Sequence, residues 1–350
     1  MYQTVVSGSR EWGIRILLLL ASCVIALLLA ETVARVFFSI SDGQDNVSLD
    51  GKPIKEWFSP GSVYRQVSNE YNAITTITKQ GHRVPGVEEG SPDIVFLGDS
   101  FTYGFGLSDD ETFSSIYCAQ QLLQCVNLGM PGSGTLRQVK RLERFIQDWG
   151  WKPREVKLFF FGMSGSFSSG NDFVDNYNSY TSADDDGREK GLPRQEPEIG
   201  LAERFIGLQS FVLDRSVLMR LVKYYWGPIL KSLIVADPGK ERMRVALAAT
   251  AQYLRQLDEL SQRVGFEYSI YLFVPVQDIM RGTYGETLET LNSVSPRQAV
   301  PTAQLFLDAP QKYYYAFDGH LNPIGSRRIA EFLIESEQAK RSSISSDRSK

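Results

Sequence analysis

The 350-residue chain predicts an α/β fold: a three-layer α/β/α sandwich with a parallel sheet, preceded by one N-terminal transmembrane helix. Three observations carry this. Short apolar runs rich in β-formers recur at 93–97, 126–128, 158–161 and 270–274. Stretches with apolar residues at helical spacing separate them, at 112–124, 135–149 and 242–264. Strands joined by helical crossovers are what a parallel sheet requires. Finally, residues 16–30 carry no charge at all.

The elements follow in chain order. Residues 1–15 form a short cytoplasmic tail, and 16–38 a transmembrane anchor. Arg10 and Arg15 precede the apolar stretch, which favours the N-terminus inside and the rest of the chain outside. Two other readings of this segment stay open. One is a cleaved signal peptide. The other is a lipoprotein box at Leu20-Ala21-Ser22-Cys23, although the apolar run continues past Cys23. Residues 39–90 read as a linker with short strands, such as 73–77. The main domain spans 91–337, with a helical insertion at about 173–240. In that insertion 184–190 is a charged loop, and 201–233 is helical with an aromatic cluster at Tyr224-Tyr225-Trp226. A helix opens at Pro323, and the Ser- and charge-rich 338–350 reads as a disordered tail.

Composition narrows the function. With 43% hydrophobic and 22% charged residues and a net charge of −4, the chain is globular and offers no basic face for nucleic acid. Two distant histidines and three scattered cysteines give no zinc spacing, so no metal or other cofactor is expected. Cys118 and Cys125 lie close enough to pair, or to be two buried thiols.

The chemistry sits at two places. Gly98-Asp99-Ser100 ends the first apolar run, and a serine at the carboxyl end of a strand in an open α/β sheet lies where ligands bind. Near the other end of the chain come Asp318-Gly319-His320. Together they supply a nucleophile, a base and an orienting carboxylate, the minimum for serine acyl transfer. Because His82 lies in a loop-like run and reads as an exposed surface residue, His320 is the candidate base. Taken alone, Asp99 and Ser100 also suit a turn or a helix cap. A Gly-x-Ser-x-Gly elbow is absent, which argues against an α/β-hydrolase.

With these blocks in order, residues 91–337 resemble the SGNH hydrolase family, also called GDSL-type esterases. The resemblance implies a flavodoxin-like sheet. It makes Ser100 the nucleophile, His320 the base and Asp318 the acid. It matches Gly132, in Asn127-Leu128-Gly129-Met130-Pro131-Gly132, to the second block, and Asn171, in Gly170-Asn171-Asp172, to the third. The implied oxyanion donors are the Ser100 and Gly132 backbone N–H groups and the Asn171 amide. Two features depart from the family pattern. Acid and base are two residues apart where many members have three. Gly162-Met163-Ser164 also occupies the place directly after the third strand, so either a short insertion precedes the third block or that block is lost.

The expected activity is hydrolysis of acyl esters, with acetyl the favoured group, on cell-envelope or exported polysaccharide. The chain would sit in the inner membrane with its catalytic domain on the periplasmic side. Three readings stand beside it: an O-acetyltransferase using the same residues, a non-catalytic glycan-binding scaffold, and a lipase-like enzyme at the bilayer.

Overall fold

The computed structural model describes residues 4–37, 45–50, 54, 58–68, 70–87, 90–164, 171–181, 216–219 and 239–347. The charged loop 184–190 and the aromatic cluster at 224–226 lie outside the described residues, as does most of the helix expected at 201–233. The chain divides into two compact units, one of 1–44 with 197–236 and one of 45–196 with 237–350.

The first unit contains helix α1 (Thr4–Phe37). Its segment Ile14–Val36, 23 residues with mean hydropathy 2.6, is long and apolar enough to cross a membrane; a signal sequence has the same character. Within this unit the Glu31 carboxylate accepts the Ser216 hydroxyl at 2.8 Å and the Val217 and Leu218 N–H groups at 3.0 Å, capping the turn at 217–219.

The second unit begins with what the sequence suggested was a linker, and here the expectation changes. Strands β1 (Asp45–Ser48), β2 (Val63–Val67) and β3 (Asn72–Thr76) form a three-stranded antiparallel sheet. Tyr64 and Gln66 alternate inward along β2, the period of a half-buried strand. The segment therefore has a buried face of its own and belongs with the residues that follow.

After it come β4 (Ile94–Gly98), α2 (Ser100–Tyr103), α3 (Phe113–Gln121), β5 (Cys125–Asn127), α4 (Thr135–Trp149), β6 (Glu155–Phe161) and α5 (Asp172–Thr181). The chain continues through α6 (Gly239–Val264), β7 (Glu267–Phe273), α7 (Val276–Arg281), α8 (Tyr284–Val294), β8 (Ala299–Pro301) and α9 (Pro323–Asp347). Thr112 caps α3, its Oγ1 accepting the Ser115 N–H at 3.2 Å. The first part of the supposed insertion is α5, which buries Phe173 in the core and packs against α4 and α6. No sequence signal pointed to α7, α8 or β8. The final helix also corrects the expected tail, since it runs to Asp347. Residues 335–341 are Glu, Ser, Glu, Gln, Ala, Lys and Arg, mostly strong helix formers. Glu337 is held to the body by Lys157 at 3.2 Å.

Five strands pair in the order β5-β4-β6-β7-β8, all parallel. Helices α3 and α9 pack together, as do α4, α5 and α6, giving the outer layers of a three-layer sandwich. Because helices cover both faces, β4 is buried at every position and reads as an unbroken apolar run. The order is that of the flavodoxin-like sheet. Its switch point lies beside β4, where the connections diverge and ligands bind at the carboxyl ends. The core is aromatic: the Phe159 ring stacks on Tyr271 at 4.8 Å and Phe273 at 5.0 Å, and Phe101 on Phe161 at 4.5 Å. A disulfide joins Cys118 to Cys125 and ties α3 to β5.

One buried cation connects the two sheets of this unit. Arg83 is fully buried, its guanidinium donating to the carbonyls of Tyr103 at 2.8 Å, Gly104 at 2.5 Å and Leu107. Arg83→Met removes donors from three carbonyls that have little access to water. The expected loss of stability is about 3 kcal/mol, read from the shift in a chemical-denaturation midpoint. A loss below about 1 kcal/mol would show that those carbonyls find other partners.

Candidate active site

Ser100 owes its place to the residues before it. Gly98 ends β4 at φ +156°, and a Cβ there would lie 2.2 Å from Thr102 Oγ1 and 2.7 Å from the Phe159 carbonyl oxygen. Only glycine fits. Asp99 then caps α2, its Oδ1 accepting the Phe101 N–H at 2.9 Å. Ser100 follows as the first helical residue, so its own N–H has no acceptor within the helix.

The candidate base, His320, arrives on a short loop. The Tyr315 N–H donates to the His320 carbonyl at 2.8 Å and the Gly319 N–H to the Tyr315 carbonyl at 3.1 Å. Gly319 takes φ +84°, so the chain reverses between Asp318 and His320. The Asp318 Oδ1 accepts both the His320 N–H at 3.2 Å and the His320 Nδ1–H. This is an Asx turn, and it explains how a carboxylate two residues before the histidine still reaches the imidazole. Asp318 can only accept in this pair, so Nδ1 carries the proton and Nε2 presents its lone pair. Nε2 lies 2.7 Å from Ser100 Oγ. The Phe101 and Phe105 rings lie 4.9 and 5.2 Å from the imidazole.

The loop after β5 meets the same place. The Met130 N–H donates to the Gly98 carbonyl at 3.0 Å. Asn127 Nδ2 donates to the Thr102 carbonyl at 2.8 Å, and its Oδ1 accepts the Gly129 N–H at 2.9 Å. A Cβ on Gly129 would lie 2.2 Å from the Tyr103 nitrogen, so this loop and α2 are in backbone contact. Gly132 has φ +66° and open space at its Cβ position.

Asn171 returns to the end of β6. The Asp172 carboxylate accepts the Phe161 N–H at 3.1 Å and the Gln138 side-chain amide at 3.2 Å. Phe161 lies just past the residues paired with Gly98, since Gly98 is opposite Phe159 in the β4–β6 register. Ser164 meanwhile turns toward Asp278 and Thr283, each at 2.7 Å. The chain thus leaves after β6 and comes back to it. Asn171 is buried and caps α5, its Oδ1 accepting the Val174 N–H at 3.2 Å.

Sequence reasoning missed several residues around this site. Tyr71 donates to Asp318 Oδ2 at 2.9 Å, and the Glu70 carboxylate accepts the Asp318 N–H at 2.8 Å. Both lie in the stretch read as linker, where only alternation along β2 and β3 hinted at packed structure. His82 also departs from expectation. It is fully buried, with Phe145 at 5.5 Å and Trp151 at 5.9 Å, and burial pushes its imidazole down to about 4.

The carboxyl groups here divide. Burial pushes Asp318 up, but hydrogen bonds from His320 and Tyr71 outweigh it and hold the group below its ordinary value. Asp99 goes the other way: burial pushes it up to about 6, against the Phe101 N–H and the nearby His320. Asp172 is raised by burial and by the charges of Asp99 and Asp175.

No family model and no curated protein matches this chain. Solved structures of similar fold include a member of the lipolytic protein G-D-S-L family from Veillonella parvula, with 13% identity over 69% of this chain and 96% of that one, TM-score 0.33. A carbohydrate esterase shows 12% identity over 85% of each chain, TM-score 0.37. An acetyl xylan esterase from the rumen bacterium Butyrivibrio proteoclasticus shows 10% identity over 77% of this chain and 67% of that one, TM-score 0.36. Likeness at this level carries no chemistry across, and the site rests on its own geometry.

Asp99 provides a pH test. Its folded carboxyl holds a proton more tightly than the unfolded one, so its contribution is complete below about pH 4 and lost as pH rises through about 6. Asp99→Asn keeps the cap acceptor and removes this loss. The variant is expected to melt near wild type at pH 4 and to be more stable by about 2 kcal/mol at pH 8. A gain that grows toward acid pH would contradict the assignment.

Proposed function

We propose that this chain is a serine esterase of the SGNH type, and that Ser100, His320 and Asp318 are its catalytic residues. The observation that carries the reading is the 2.7 Å contact between His320 Nε2 and Ser100 Oγ, with Asp318 on the other ring nitrogen. In this reading Ser100 attacks the ester carbonyl and passes its proton to His320 Nε2. Asp318 stabilises the imidazolium so formed. His320 returns the proton to the departing alcohol oxygen, leaving Ser100 acylated. Water, activated by the same imidazole, then releases the acid and restores the serine.

The negative oxygen of each tetrahedral intermediate needs donors in place beforehand. We assign that role to the Ser100 and Gly132 N–H groups and the Asn171 amide. The Met130–Gly98 and Asp172–Phe161 hydrogen bonds support it, because they bring both loops to the carboxyl ends of β4 and β6. The substrates we favour are acetyl esters on envelope or exported polysaccharide, with the domain facing the periplasm. The basic residues before the apolar part of α1 support that orientation, and the Cys118–Cys125 disulfide fits an oxidising compartment.

The decisive test compares full-length wild type with Ser100→Ala on p-nitrophenyl esters from acetyl to long chain. The variant is expected to lose at least about 10⁴-fold in kcat, with short acyl groups preferred by wild type. Equal background rates would remove esterase activity, while preference for long chains would redirect the reading to lipid. Asn171→Ala is expected to lower kcat by about 10²-fold with little change in KM. If Asn171 serves only as a helix cap, that variant will instead lose about 1 kcal/mol of stability at unchanged kcat.

A further inference from the structure

The candidate acid is held by more than its histidine. His320 occupies Asp318 Oδ1, and Oδ2 accepts the Tyr71 hydroxyl at 2.9 Å. Tyr71 and Glu70 sit on the turn between β2 and β3. That turn is closed on itself: Ser68 Oγ accepts the N–H groups of Glu70 at 3.0 Å and Tyr71 at 3.3 Å, and the Ser68 N–H donates to the Tyr71 carbonyl at 2.9 Å. Glu70 accepts the N–H groups of Asp318 at 2.8 Å and Phe317 at 3.1 Å. Adjacent residues therefore hold the carboxylate and the backbone of the same aspartate. Tyr71 is 8% exposed, with its ring 5.0 Å from Tyr315 and 6.2 Å from Phe105, so the side chain has little room to move.

We propose that Tyr71 is a positioning residue for Asp318, fixing the carboxylate so that it holds His320 in its catalytic tautomer while Glu70 holds the loop beneath. The proposal rests on the esterase reading and extends it to a segment that precedes the parallel sheet. The physical need is plain. The terminal torsion of an aspartate is broad, and a carboxylate held through one oxygen can rotate away from the imidazole. A second, charge-assisted bond to the other oxygen removes that freedom. The ionisable groups facing Asp318 are His320, Tyr71, Glu70 and Tyr315; those facing His320 are Asp318, Ser100 and Asp99.

The test uses the full chain in detergent, with Tyr71→Phe, Ser100→Ala and wild type hydrolysing p-nitrophenyl acetate across pH. Phenylalanine keeps the ring contacts and removes only the hydroxyl. We expect kcat to fall about tenfold with KM unchanged. The acidic limb of kcat/KM should move to higher pH, because a carboxylate without its tyrosine donor holds the His320 proton more tightly. An unchanged kcat, or a lower kcat with an unmoved limb, overturns the proposal. Should wild type itself show no Ser100-dependent turnover, the esterase reading falls, and thermal melts decide the inference separately. Asp318 is held low in the folded state, so its stabilisation is present near neutrality and lost as pH falls below its unfolded value of about 3.9. The melting deficit of Tyr71→Phe should therefore stand at pH 7 and shrink at the lowest pH at which the protein stays folded. A deficit equal at both overturns it.

Discussion

At the exit of β4 the backbone has room for a hydrogen and nothing larger. A side chain on Gly98 would strike Thr102 and the Phe159 carbonyl, so β6 and the first turn of α2 close in on the same atom. That crowding accompanies the passage from strand to helix within two residues, which leaves Ser100 at the carboxyl end of β4, an interior strand. The other approaches follow from it. The loop after β5 hydrogen-bonds to the Gly98 carbonyl, and Asn127 reaches the carbonyl of Thr102. Residues far apart in sequence meet there because the parallel sheet brings its carboxyl ends together.

The antiparallel sheet supports this arrangement from another direction. Arg83 binds the carbonyls that follow α2, and Gln66 Oε1 accepts the Gly106 N–H at 2.6 Å. Tyr64 and Tyr103 join through their hydroxyls. On the other loop, Glu70 and Tyr71 hold Asp318. Ser100 and Asp318, 218 positions apart, are thus braced by one short stretch of chain. A charged residue buried this fully is stable because carbonyl oxygens and the Asp109 carboxylate at 3.5 Å surround it, which makes Arg83 a fixed point for the loop.

The parallel sheet was legible because burial on both faces writes itself as apolar runs, and the blocks around Ser100, Gly132 and His320 are punctuated by glycine. What stayed hidden was long-range. Nothing local marks Tyr71 as a partner of Asp318, since the contact depends on where two loops meet in space. His82 lies in a polar, turn-like stretch that conceals its burial between Phe145 and Trp151. The return of the chain at Asn171 was equally invisible. It depends on the Asp172 carboxylate meeting the Phe161 N–H across ten intervening positions. Disorder was inferred for 338–350 from serine and charge, yet Lys157 reaches Glu337 and the helix formers around it carry α9 onward.

The closed loop around Gly319 has a mechanical consequence. Asp318 and His320 share a ring of backbone and side-chain hydrogen bonds from Tyr315 to His320, so the two side chains form one stiff body. A displacement of that body relative to Ser100 leaves the Asp318–His320 hydrogen bonds intact while it changes the gap between the imidazole and the serine and the contacts with Tyr71 and Glu70. A movement of about 1 Å takes a 2.7 Å hydrogen bond beyond bonding range while the imidazole keeps its tautomer.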